Sequence, residues 1–86
     1  MKEKISVAEA RRIGDVIGAD WAKVNIDEFV MGMGVELEHG SADPETDVTH
    51  NDPILTGKIA LAHLRELPDY YTRLRAMEKE AEATPR

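Results

Sequence analysis

The chain has 86 residues, no cysteine, and a formal charge of −6 from 17 acidic against 11 basic side chains. One domain spanning 1–86 is expected, burying little more than roughly 60% of the surface its unfolded form exposes, with no disulfide framework, thiolate nucleophile or zinc finger. The negative charge repels a phosphate backbone, and the basic residues from Arg11 and Arg12 to Arg65, Arg73 and Arg75 form no stripe, so nucleic acid is disfavoured as a partner.

The start, Met1-Lys2-Glu3-Lys4, runs into a segment containing Glu9, Arg11 and Arg12 and lacks the apolar stretch of a signal peptide. No apolar run approaches the roughly 18 residues needed to span a bilayer, so no membrane partner and a cytoplasmic location are expected. With one Trp, two Tyr and one Phe, packing falls to Ile, Leu, Val, Met and Ala. That mixture favours helices over sheets. An all-α fold follows, a compact bundle of about four short helices.

Ser6-Val-Ala-Glu9 reads as a capping box, in which hydroxyl and carboxylate satisfy otherwise orphan backbone donors. Ala10, Ile13, Val16 and Ile17 follow at helical spacing and Gly18 is a left-handed stop, which predicts a first helix over 7–17. Asn25-Ile-Asp-Glu28 repeats the capping pattern after a connection containing Trp21. Ile26, Phe29, Val30, Met33 and Leu37 then form one apolar stripe, predicting a second helix over 26–39 that stops at Gly40. Gly32 and Gly34 inside it cost up to about 1 kcal/mol each relative to Ala. Close approach of another backbone, or a bend aiming Glu36 and His39, would offset that cost.

Residues 40–52 form a polar connection longer than most loops in small domains. Asp43, Glu45 and Asp47 alternate there, but a calcium loop needs Gly at its sixth position and Glu at its twelfth, where this chain has Val48 and Ile54. Asp52-Pro53 supplies an N-cap and a first-turn proline for a third helix over 53–66. Pro68 ends it and opens a fourth over 69–80, with Tyr70, Leu74 and Met77 inward. Fraying is expected at about 1–4 and 80–86.

Two reciprocal pairs, Glu36-x-x-His39 and His63-x-x-Glu66, carry the chemistry. Glu36 falls between Phe29 and Met33 at the edge of its stripe, while His63 and Glu66 sit among Leu55, Ile59, Ala62 and Leu67, on what reads as the apolar face of the third helix. Burial of an unpaired carboxylate or imidazolium is costly, so each group needs a partner. One reading is a metal-free buried polar network that holds helices two and three in register. The alternative is a metal site with Glu36, His39, His63 and Glu66 as ligands and Glu38 and His50 as further contributors. That donor set suits zinc, iron, manganese or nickel as the cofactor. A two-metal centre normally uses two Glu-x-x-His motifs from a four-helix bundle, and this chain has one, so such a centre would require a dimer.

Ser6 and Ser41 have no base and orienting group arranged beside them, and no Gly-rich phosphate loop is present, so an enzyme is disfavoured. A helical protein-binding module, as monomer or homodimer, is the leading expectation. A helix-turn-helix-like DNA-binding module from the first two helices ranks below it because of the charge.

Val35-Glu-Leu-Glu-His-Gly40, Asp52-Pro53, the run from Gly57 to Thr72 (GKIALAHLRELPDYYT) and Met77-Glu78 together resemble an uncharacterised family of small bacterial and phage-associated helical domains of unknown function. Glu36, Glu38, His39, His63, Glu66, Pro68, Tyr70 and Tyr71 match its most distinctive positions. The resemblance covers most of the chain and implies no activity, substrate or cofactor.

Overall fold

Three of the four helices begin where a short polar side chain accepts backbone N–H groups that have no intrahelical partner. The computed structural model describes residues 5–83, with helices α1 (Val7–Ile17), α2 (Ile26–Ala42), α3 (Pro53–Glu66) and α4 (Tyr70–Ala83) and no strand among the described residues. The fold is all-α, as the composition predicts. Of the fraying expected at 1–4 and 80–86, residues 1–4 and 84–86 lie outside the described span, and 80–83 are the last turn of α4.

The Ser6 hydroxyl oxygen accepts from the Glu9 amide at 3.1 Å and donates to the Glu9 carboxylate at 3.3 Å. Gly18, at φ +87°, closes α1 with its N–H directed back to Asp15 and Gly14 carbonyls. Asn25 accepts from both Asp27 and Glu28 amides, at 2.8 and 3.1 Å. Asp52 does the same for Ile54 and Leu55, with Pro53 as the first residue of α3.

Two ends differ from the pattern. Helix α2 continues past Gly40 to Ala42, where the Ser41 hydroxyl donates back to the Leu37 carbonyl at 2.9 Å. Gly40 stays helical, and the Thr49 hydroxyl oxygen would lie 3.0 Å from a Cβ placed there, so the glycine makes room for the loop. Helix α4 begins at Tyr70 and extends to Ala83.

The core combines Ala10 and Ile13 of α1, Val24, Phe29 and Met33 of α2 and its approach, Ala60, Leu61 and Leu64 of α3, and Tyr71 of α4. Trp21 covers one side, edge-on to Phe29 with centroids 5.7 Å apart, and donates its Nε1–H to Asp15 at 2.7 Å. Helices α1, α2 and α3 pack on one another, and α4 docks mainly on α2.

The inward face of α3 is the one carrying Leu61 and Leu64, not the one carrying Leu55, Ala62 and Leu67. Thr56, Gly57, Ala60, Leu61 and Leu64 are buried, whereas Leu55, Ala62 and Leu67 are exposed. The small residues decide this. A Cβ at Gly57 would lie 2.8 Å from Ile13 Cγ2, so only glycine allows α1 this close, and Thr56 is buried at no polar cost because its hydroxyl donates to the Asp52 carbonyl at 2.7 Å.

Gly32 meets the ring of Tyr71, not a backbone: a Cβ there would be 2.4 Å from Tyr71 Cε2, while a Cβ at Gly34 meets nothing within 4 Å. Gly32→Ala should therefore destabilise the fold by about 1–3 kcal/mol through overpacking. Gly34→Ala should stabilise it by up to about 1 kcal/mol through helix propensity. Urea midpoints at constant m-value measure both, and equal responses at the two positions would refute the packing assignment.

Candidate functional site

Glu28, Gly32 and Glu36 recur every fourth residue on α2 and so line one strip of its surface. Tyr71 lies along that strip and is only 1% exposed. Its ring fills the space over Gly32, its amide donates to Glu28 Oε1 at 3.1 Å, and its hydroxyl donates to Glu36 Oε2 at 2.7 Å.

Glu28 is a helix cap supplied from a distance. The Asp69 carbonyl accepts the first bond of α4 from the Arg73 amide, which makes Asp69 the residue whose side chain would ordinarily cap the helix. The Asp69 carboxylate instead accepts from Arg73 Nε at 2.8 Å, an interaction that draws it below the usual carboxylate range. The next two amides, those of Tyr71 and Thr72, donate to Glu28 Oε1 from α2, and the Thr72 hydroxyl donates to Glu28 Oε2. Glu28 is free for this because Asn25 already satisfies the first turn of α2. A carboxylate at that position also lies at the positive end of the α4 dipole.

At the other end of Tyr71 the network reaches α3. His63 Nδ1 lies 3.2 Å from the Tyr71 hydroxyl oxygen and 3.5 Å from Glu36 Oε2. Since the phenol gives its proton to Glu36, its oxygen is left to accept from an N–H at His63 Nδ1. The imidazole also stacks on Tyr70, with centroids 4.4 Å apart and planes 9° from parallel. Among the described residues no buried side-chain nitrogen or oxygen lacks a hydrogen-bond partner.

The structure brings Glu36 and His63 together and leaves the other proposed ligands apart from them. His39 and Glu66 are exposed, as are Glu38 and His50. The expectation that Glu66 would be buried on the apolar face is corrected. Each outlying member lies two positions past a buried leucine, His39 after Leu37 and Glu66 after Leu64, and so about 200° round its helix. His63 is half-buried at the rim and Glu36 more fully enclosed. No group of three or more His, Asp or Glu residues is placed to hold a metal ion among the described residues. His50 belongs to the loop, at φ +49° with its amide bonded to Asp47 Oδ1 at 2.8 Å. Sequence reasoning missed Glu28, although the Glu-x3-Gly-x3-Glu spacing was present to signal a continuous strip.

Two measurements test this network. Glu28→Ala strands the Tyr71 and Thr72 amides and should cost about 1–3 kcal/mol, with faster hydrogen exchange at those two amides. Glu28→Gln keeps an acceptor oxygen and should lose less, so equal losses for the two variants would argue against the capping role. Burial first, then the hydrogen bond to Glu36 and its charge, hold the Tyr71 phenol well above its ordinary value of 10.0. A group whose affinity for its proton rises on folding contributes fully below its unfolded pKa and loses that contribution above it. The parent should thus lose stability more steeply than Tyr71→Phe as pH climbs past about 10, with the lysines and Tyr70 cancelling in the comparison. Parallel stability curves would remove the phenol from this role.

No helix of the described residues is long and apolar enough to cross a membrane. No curated protein and no solved structure matches the chain. The family described as "Protein of unknown function (DUF5661)" matches it over residues 10–80, a span that takes in all of α2 and α3 together with the Glu28, Glu36, His63 and Tyr71 network. The chain belongs to that family.

Proposed function

We propose that this chain is a protein-binding module that uses α4 as its recognition element. The observation that carries the reading is an imbalance within α4: the helix is anchored by a dense polar network at its first turn, yet only Tyr71 of its fourteen residues is buried. Beyond that anchor, Leu67, Tyr70, Arg73, Leu74 and Met77 line an open groove of about 210 Å³, and Met77 is 58% exposed.

Pockets for small molecules typically enclose about 300–1,000 Å³ and are concave, so this groove suits a ridge of side chains better than a metabolite. Tyr70, Leu74 and Met77 stand at the i, i+4 and i+7 positions used by helices that pair with other helices. The Glu28 cap and the Tyr71 hydroxyl keep the helix docked in one orientation, so less ordering cost falls on the binding step. The Glu36–His63 contact serves as the register between α2, α3 and α4 in this reading.

A photoreactive side chain at position 77 should crosslink to a partner in extract from cells that express the protein. The same group at Arg75, about 160° round the helix, should not. Leu74→Glu should abolish the crosslink while circular dichroism stays that of the parent. Labelling that ignores the helix face, or no labelling at either position, would overturn the proposal.

A further inference from the structure

Tyr70, Leu74, Met77 and Ala81 follow one another at steps of four, three and four residues, which is the spacing of a seam between two paired helices. The two flanks of this seam differ. Tyr71, on one side, is buried against α2 of its own chain, so the body of the molecule occupies that flank. The opposite flank carries Arg73 and Glu80, residues of opposite charge one heptad apart.

That arrangement is complementary to itself. When two α4 helices run antiparallel with Leu74 of each copy against Met77 of the other, a twofold axis passes between positions 75 and 76. The same axis sets Tyr70 against Ala81 and Arg73 against Glu80, each contact made twice. The Arg73 guanidinium already uses Nε to reach Asp69 at 2.8 Å, which steadies the side chain and leaves its other N–H groups for a second carboxylate. The body grips α4 through Tyr71 and Thr72 at the first turn, so an antiparallel pair keeps the two bodies at opposite ends.

We propose that the occupant of the α4 seam is a second copy of this chain, held in an antiparallel α4–α4 contact. The inference rests on the reading of α4 as a protein-binding surface and names the partner. With four seam residues from each copy, the dimer is weak and forms as concentration rises from micromolar to millimolar.

Sedimentation equilibrium on the full chain tests it. The apparent mass should climb from 9.6 kDa towards twice that value, and Met77→Glu should hold it at the monomer with an unchanged helical spectrum. Arg73→Glu and Glu80→Arg, each replacing attraction by repulsion at two symmetric sites, should each weaken association by about tenfold. An equimolar mixture of those two variants places opposite charges at both sites and should restore the parent affinity. A parent that stays monomeric across the range, or a mixture that associates no better than either variant alone, would overturn the inference. A monomeric parent whose position 77 crosslinks to a different protein removes the second copy while the recognition role of α4 stands. A monomeric parent with no crosslink removes both.

Discussion

The grip of the Glu28–Gly32–Glu36 strip on Tyr71 is the constraint on which the arrangement of this molecule depends. Helix α4 buries a single residue, and a helix of fourteen residues is marginal in water on its own propensity. Tyr70 and Leu74 pack only partly buried against the core, so apolar burial alone does not fix its position. What does so is one side chain held at three points: the amide by Glu28, the ring by the absence of a Cβ at Gly32, and the hydroxyl by Glu36, with His63 joining from α3. Because Glu28, Gly32 and Glu36 share one strip of one helix, the three contacts form together.

The starts of the four helices divide along the same line. Ser6, Asn25 and Asp52 cap the helices that immediately follow them, and each cap forms from a few neighbouring residues. The first turn of α4 receives its acceptor from a residue more than forty positions earlier in the chain. Its end is satisfied only when it is docked on α2. Docking and helix initiation are coupled, so α4 is held on the body as a fixed element.

The polar centre has a structural logic of its own. A tyrosine hydroxyl that donates to a carboxylate can accept from an imidazole, and this single chain of bonds ties three helices without leaving a buried polar atom unsatisfied. Stacking of Tyr70 on His63 closes the α3–α4 corner just past Pro68. The loop between α2 and α3 is organised separately, by Asp43 and Asp47 accepting amides from residues two and three positions on, with Thr49 buried over Gly40. Asp43 and Asp47 are turn-formers.

The sequence by itself determined the class and the placement of the helices, because caps, Gly18, Pro53 and Pro68 act over a few residues and apolar spacing reports helical period directly. It also marked Glu36 and His63 as groups in need of partners. Tertiary structure decided which face of α3 turns inward, since Thr56 and Gly57 count as neither large nor apolar in a pattern yet permit the closest approach of α1. It placed Glu66 on the outside for the same reason, a rotation set by packing density and not by the hydrophobicity of individual residues. And it gave Glu28 its role. A carboxylate three residues after an Asn cap reads locally as part of that cap, and only the approach of α4 offers it two amides and a hydroxyl that nothing nearby in the chain can satisfy.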